Sequence, residues 1–207
     1  FNIGTAGPLR LFTQPLAGQI VWFLPLAILG AVALAWQRRP RLKEDRKQQS
    51  LVLWGTWLLT MGIFFSVASF FHQYYMTVFS PAIAALFGIG LVVMWQDYRR
   101  EGWRGWLLPL AIAVTLAEQI YVLTSYGAWG KLLIPIIAVL GVIAVGVLVC
   151  ARLFPRLKLK VRYLLPVLGL GILALTITPT LWATLPVLTS TQADTLVAGP
   201  TDTNSIS

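Results

Sequence analysis

Charged residues are scarce in this sequence: Asp, Glu, Lys and Arg make up 11% of its 207 residues, whereas hydrophobic residues make up 57%. A soluble domain carries about a quarter charged residues, so too few are present here to cover a surface that faces water. One histidine and one cysteine exclude an internal disulfide and a zinc site built from the usual His and Cys ligands. The sequence also has no glycine-rich phosphate loop with its lysine and no nucleophile-base pair. We therefore expect neither a metal nor a bound cofactor.

The apolar residues lie in blocks of about twenty, the length that a helix needs to cross a hydrocarbon core of about 30 Å. The blocks are continuous and do not alternate with period two, which excludes a transmembrane barrel. The sequence therefore predicts an all-α, polytopic transmembrane helix bundle of about six spans. We assign residues 1–15 to an extracytoplasmic loop, 16–185 to the transmembrane region and 186–207 to a polar extracytoplasmic tail. The predicted spans cover residues 16–36, 51–71, 76–95, 107–125, 132–151 and 163–185.

The basic residues are concentrated in every second loop between these spans. Six lie between positions 38 and 47, three at positions 99, 100 and 104, and five between positions 152 and 162. The alternate loops hold only Arg10 and Lys131. Positive loops stay in the cytoplasm, so we expect a multi-pass protein of the cytoplasmic membrane with its C-terminal tail outside. The bilayer explains the net charge of +9, and we expect no nucleic-acid partner.

A polar corner separates the second and third predicted spans. Its sequence, FFHQYY at positions 70–75, contains the only histidine and two tyrosines. His72 and Tyr75 are three residues apart, so on a helical turn they share a face and could both donate to a phosphate or a sugar hydroxyl. An aromatic belt at the membrane surface with one polar turn residue explains the same sequence. The residues alone leave both interpretations open.

Two other ionisable residues stand in unusual places. Arg10 follows a Gly-Pro-Leu turn beside the membrane, where it suits an anionic lipid headgroup or is simply a solvated loop residue. Glu118 is the only acidic residue inside a predicted span, and the cost of burying such a group makes it a functional candidate. The Glu118 side chain either faces a partner group or a hydrated cavity within the bundle, or it is protonated and hydrogen-bonded and has a structural role.

Two patterns predict packing rather than chemistry. Asp97 and Glu101 alternate with the arginines at 99 and 100, so we expect these charges to neutralise one another. Ser80, Ala84 and Gly88 recur at four-residue spacing, which predicts a small-residue face that another helix approaches closely.

Four stretches carry a family resemblance: GPLRLF at 7–12, LAGQIVWFLPLA at 16–27, WGTWLLTMGIFFS at 54–66 and FHQYYMTVFSPAIAALFGIG at 71–90. They resemble bacterial membrane glycosyltransferases of the protein mannosyltransferase and aminoarabinose transferase superfamily, which are of the GT-C type. The likeness is to the branch found in Gram-positive and related bacteria. It covers nearly all of the chain and includes VAGP at 197–200.

The resemblance implies transfer of a sugar from a polyprenyl-phosphate donor to an acceptor at the outer face, with inversion at the anomeric carbon. Such enzymes carry a catalytic acid, usually Asp, in a large external loop near the N-terminus, and this sequence has no equivalent. The resemblance therefore implies that this chain comprises the later spans of such an enzyme. These spans need the N-terminal part of the same enzyme and should be inactive alone. His72, Tyr74 and Tyr75 match the segment near the donor phosphate, with Arg10 in a loop on the same side. Gln73 stands where relatives often have proline.

Two other classes of function remain open. A transporter or an assembly subunit without enzymatic activity would show charges lining a path through the membrane, and only Glu118 fits that description. A purely structural membrane scaffold is the third possibility, and the polar corner argues against it only weakly.

Overall fold

The computed structural model describes residues 3–36, 45–154, 160–189 and 197–200. Within those ranges the chain forms seven α-helices: α1 Ala17–Ile20, α2 Leu24–Ala35, α3 Arg46–Val67, α4 Ser80–Tyr98, α5 Leu107–Leu123, α6 Gly127–Leu153 and α7 Val161–Thr189. Four short 3₁₀ helices accompany them: Arg10–Phe12, Val21–Phe23, Gln73–Phe79 and Trp103–Trp106.

Six helical stretches in the described residues are long and apolar enough to cross a membrane, which confirms the predicted transmembrane bundle: Ala17–Ala35, Arg46–Val67, Gln73–Tyr98, Trp103–Leu123, Gly127–Leu153 and Val161–Leu188. Most of the span boundaries lie a few residues from the predicted ones. The second span ends at Val67 rather than at residue 71, and α7 continues to Thr189 rather than ending at 185. Residues 37–44 and 155–159 of the basic loops, and 190–196 and 201–207 of the tail, lie outside the described residues.

Local sequence sets several helix starts. Proline occupies the first turn of α2 and of α4, where its missing N–H has no partner to lose and its φ already fits a helix. Asp45 caps α3, because its carboxylate accepts a hydrogen bond from the Lys47 amide at 2.9 Å.

The first span is broken between α1 and α2 by the 3₁₀ turn Val21–Phe23. The break exposes the Trp22 carbonyl, which accepts a hydrogen bond from Nε2 of Gln119 at 2.8 Å. The same Gln119 nitrogen donates to the Leu175 carbonyl at 2.9 Å. One buried amide therefore joins the first, fourth and sixth spans.

Helices α2 and α4 make their closest approach at two glycines. A Cβ built on Gly30 would lie 2.7 Å from the Gly90 Cα, and a Cβ on Gly90 would lie closer still to Gly30. The predicted small-residue face at Ser80, Ala84 and Gly88 is exposed, and a Cβ on Gly88 would meet nothing within 4 Å. Within the described residues, the side of α4 that approaches α2 is the one that carries Gly90. Small residues occur on both sides of α4, and their spacing does not show which side is packed.

The helix termini lie in two groups, one at each end of the bundle. At the basic end, the end of α2, the start of α3, residues 98–106 and the end of α6 meet. The bonds that join them include Gln48 Nε2 to the Leu34 carbonyl at 3.1 Å, Arg104 Nη2 to the Ala33 carbonyl at 3.2 Å and Arg152 Nη1 to the Tyr98 carbonyl at 2.7 Å. The opposite end carries the residue 70–75 turn and is called the corner end. The predicted alternation of the spans is thus present.

One expected charge pairing is wrong. Asp97 forms its ion pair with Arg104 at 3.0 Å, not with its sequence neighbours Arg99 and Arg100. Asp97 is buried on α4, whereas both of those arginines are exposed. The helix direction therefore carries the Asp97 carboxylate inward to the 3₁₀ turn that contains Arg104.

The close approach of α2 and α4 predicts a sharp difference between two neighbouring glycines. Gly90→Val should destabilise the protein by about 1–3 kcal/mol, because the added side chain has no room without backbone movement. Gly88→Val is the matched control and should stay near wild type, since its position is open. Thermal unfolding in detergent measures both variants. Equal unfolding temperatures would contradict the packing described here.

The charge asymmetry predicts which end faces the cytoplasm. In a Cys150→Ala background, needed because Cys150 is exposed, Arg46→Cys at the basic end should resist an impermeant thiol reagent in intact cells. Ser125→Cys at the corner end should react, since Ser125 is exposed. Gln48 is unsuitable as a probe because its side chain is buried against Leu34. Labelling of Arg46→Cys from outside would reverse the orientation.

Candidate functional site

Three polar aromatic side chains meet at the corner. The His72 ring stacks on the Tyr74 ring with centroids 5.1 Å apart and an angle of 13°, and it lies edge-on to Tyr75 at 5.7 Å. The two tyrosine rings lie edge to face, with their centroids 4.7 Å apart. Both tyrosines are exposed and His72 is half-buried. The structure therefore brings together all three residues that the sequence singled out here.

The corner backbone holds these rings in place. His72 is extended, with φ −86° and ψ 145°, and its carbonyl accepts a bond from the Tyr75 amide at 3.0 Å. Phe71, Met76 and Phe79 are each no more than 2% exposed, so the same short segment is anchored in the core. Apolar residues thus point inward while the imidazole and the two phenols remain at the surface.

Arg10 lies against the base of the corner and is only 4% exposed. Its Nε donates to the Ile3 carbonyl at 2.9 Å, and its Nη1 donates to the carbonyls of Phe65 at 3.2 Å and Ala68 at 2.6 Å. The guanidinium also lies 4.9 Å from the centre of the Phe71 ring. Arg10 is therefore not a solvated loop residue; it satisfies carbonyls at the end of α3. Its position in a loop that packs on the bundle was not evident from the sequence.

Glu118 lies on α5 with both carboxylate oxygens buried, and neither has a hydrogen-bond partner in the part of the chain that the structure describes. Its neighbour Gln119 is fully buried and has its Nε2 bonded to two carbonyls. Glu118 lines neither the cleft between α2 and α3 nor the cavity beside Arg152. Across the described ranges, no group of three His, Cys, Asp or Glu side chains could hold a metal ion.

Sequence reasoning missed a contact between the two chain ends. The Gln19 carboxamide accepts from the Ala198 amide at 2.9 Å and donates to the Ala198 carbonyl at 3.1 Å. The Gly199 amide donates to the Trp182 carbonyl at 2.9 Å, and a Cβ on Gly199 would press on the Trp182 indole. Residues 197–200 therefore pack on the corner end. In the sequence, this contact could have been suspected from Gln19, which is an isolated polar residue among apolar ones.

An apolar cleft of about 790 Å³ runs between α2 and α3. Along α3 it extends from Leu51 to Val67, which corresponds to about 24 Å at the helical rise per residue. Pro8, Phe12 and Phe79 line it towards the corner end. The cleft is thus long and largely apolar, and it reaches the corner end of the bundle, although His72, Tyr74 and Tyr75 do not line it.

Two curated proteins of Bacillus subtilis (strain 168) are similar to this chain over most of its length. The chain is 38% identical over 206 residues to "Putative mannosyltransferase YkcB" and 37% identical over 193 residues to "Putative mannosyltransferase YycA". The matches cover 97% and 91% of this chain but only 28% and 27% of those proteins, so the chain spans about a quarter of their length.

No protein family model and no solved structure matches the chain. The two relatives nevertheless agree with each other in what they are named and in how much of this chain they match. The resemblance of this chain to mannosyltransferase-like glycosyltransferases is therefore confirmed along nearly its whole length.

Proposed function

We propose that this chain is the C-terminal membrane part of a glycosyltransferase that moves a sugar from a polyprenyl-phosphate donor to an acceptor at the outer face of the cytoplasmic membrane. The observation that carries the proposal is the pairing of a polar aromatic cluster with a long apolar cleft at the corner end. A polyprenyl phosphate has the matching chemistry, since an anionic head is joined to a long hydrocarbon tail. The similarity to the two relatives supports a sugar transferase.

The corner supplies hydrogen-bond donors for the departing phosphate. When the sugar leaves, negative charge builds on the phosphate oxygen that was bonded to it. Donors already in position stabilise that charge without reorganising. The hydroxyls of Tyr74 and Tyr75 and the imidazole of His72 take this role in the proposal, because their rings lie within 4.7–5.7 Å of one another.

The cleft takes the hydrocarbon tail. Its length along α3 of about 24 Å covers most of a hydrocarbon core of about 30 Å. Apart from Ser66, its lining residues are apolar or glycine along α3 from Leu51 to Val67, so a polyprenyl chain would bury few polar groups. The head of a donor lying in this cleft would then reach the corner end.

Arg10 acts in this proposal by positioning the corner. Its Nε and Nη1 are occupied by backbone carbonyls, so it holds the end of α3 and the Phe71 ring. Its positive charge still lies beneath the proposed phosphate position. Arg10 therefore contributes fixed charge and geometry, whereas the rings at positions 72, 74 and 75 make the contacts.

The acid that activates the acceptor is proposed to lie in the N-terminal part of the full enzyme. Among the described acidic residues, Asp45, Asp97 and Glu101 lie at the basic end and Glu118 lies within a span. This distribution places none of them in the corner. The alternative of a transporter or an assembly subunit draws support from Glu118 alone, and that residue lines neither cavity.

Loss of one hydroxyl tests the role of the corner. In the full-length enzyme, Tyr75→Phe should lower kcat about a hundredfold, because a preorganised donor to the developing charge is removed while the ring remains. His72→Ala should have an effect of similar size. Turnover with a polyprenyl-phosphate sugar measures both. Tyr121→Phe is the matched control, since Tyr121 is exposed at the same end on α5 and loses the same atom.

Trp57 is a poor control for this experiment, because its Nε1 donates to the Val78 carbonyl at 3.0 Å and thus ties α3 to the 3₁₀ helix Gln73–Phe79. Wild-type turnover of Tyr75→Phe and His72→Ala, in protein that inserts and unfolds normally, would leave the corner as an aromatic belt around a turn. An equal loss in Tyr121→Phe would point to a general effect of removing surface phenols.

A conservative change separates positioning from charge at Arg10. Arg10→Lys keeps the positive charge but loses the planar fork that reaches several carbonyls. We expect the free energy of unfolding to fall by about 1–3 kcal/mol, because buried carbonyls lose their donor, and kcat to fall with it. Arg46→Lys, at an exposed position, is the control and should change neither quantity. Full stability and turnover in Arg10→Lys would mean that charge alone suffices.

A further inference from the structure

A second cavity, of about 620 Å³, opens at the basic end of the bundle. It lies between the loop that follows α4, the end of α6 and the start of α7. Arg99, Arg100 and Arg152 give one side a positive charge, while Val161 and Leu164 form an apolar side. Nothing in the proposed transferase reaction uses this cavity, because it lies at the opposite end from the corner.

Arg152 builds the loop that forms the basic side. Its Nη1 donates to the carbonyls of Tyr98 at 2.7 Å and Arg100 at 3.3 Å, and its Nη2 donates to the Gly102 carbonyl. Its guanidinium lies 5.6 Å from the centres of the Tyr98 and Trp106 rings. These contacts use both terminal nitrogens of the guanidinium and fix the path of residues 98–102.

Two glycines permit this arrangement. Gly102 has φ of +114°, a conformation that residues with a side chain rarely adopt. Gly105 is buried beside the Arg152 guanidinium, and a Cβ there would overlap it. The loop is therefore preorganised, and it leaves the side chains of Arg99 and Arg100 exposed at the rim.

We propose that this cavity binds an anionic phospholipid, whose phosphate meets Arg99 and Arg100 and whose acyl chains lie against Val161 and Leu164. Basic pockets between transmembrane helices at the membrane surface suit acidic headgroups. Glu101 also lines the cavity, but one carboxylate is outweighed by three guanidinium groups. The apolar side favours a lipid over free phosphate, because a small anion would leave that side empty.

A simpler explanation attributes these arginines to the general excess of positive charge at the basic end. That explanation predicts that any two exposed cations at this end are equivalent. Arg46 and Lys47 are exposed at the start of α3 and lie outside the cavity. They therefore provide a control with the same change in charge at the same end.

Native mass spectrometry of the delipidated full-length protein tests the proposal with phosphatidylglycerol as the probe and phosphatidylcholine as the neutral comparison. Wild type should retain phosphatidylglycerol more tightly. The double variant Arg99→Gln/Arg100→Gln should weaken its binding about ten- to thirtyfold. The double variant Arg46→Gln/Lys47→Gln should bind as wild type does, and inorganic phosphate in large excess should not displace the lipid.

Equal weakening in the two double variants would overturn the proposal in favour of a diffuse charge effect, and displacement by inorganic phosphate would make the cavity a free-anion site. Cross-linking of the wild-type protein keeps the test independent of how the variants fold. A phosphatidylglycerol with a photoreactive acyl chain should form adducts with the peptide that contains Val161 and Leu164. Adducts found only elsewhere would also overturn the proposal.

Discussion

A backbone carbonyl that leaves a helix inside a membrane needs a new donor, because no water is there to supply one. Long polar side chains meet this need where the helices of this bundle break or end: Gln119 reaches Trp22 at 2.8 Å, Arg10 reaches Ala68 at 2.6 Å and Arg152 reaches Tyr98 at 2.7 Å. A buried carbonyl left without a donor costs about 1–3 kcal/mol. Each irregular segment is therefore held in one conformation, and both candidate binding regions are built on such segments.

The hydrophobic blocks and the distribution of basic loops were enough to predict six spans and their alternation, because bilayer thickness and the need to satisfy the backbone leave few other solutions. The corner was also predictable, since polar residues interrupt an apolar run there. The rings of His72 and Tyr75 lie 5.7 Å apart, although His72 is extended and precedes the helical turn. Stacking of Tyr74 on His72 was not predicted, because it depends on the extended backbone at position 72.

Side-chain partners that lie far apart in sequence could not be predicted. Interfacial tryptophans and buried tryptophans look alike in a sequence, yet Trp22 and Trp182 are buried with their rings 5.3 Å apart. A loop arginine and a buried capping arginine look alike as well, and only the packing of residues 3–12 on α3 identifies Arg10 as the second kind. The packed side of α4 is set by Gly30 on another helix, so local spacing within α4 carried no information about it.

The way in which α3 is attached bears on how a lipid could reach the apolar cleft. Hydrogen bonds hold α3 near both ends, from Gln48 to the Leu34 carbonyl and from Arg10 to the Phe65 and Ala68 carbonyls. One further bond, from Trp57 Nε1 to the Val78 carbonyl, ties the middle of α3 to the segment before α4. Within α3, Gln48 and Phe65 are the buried residues, so most of its length has little packing against the rest of the chain. A hydrocarbon chain could therefore enter between α2 and α3 from the side without breaking the bonds that position the corner. Such lateral entry suits a substrate that stays dissolved in the bilayer, because its tail would not have to pass through water.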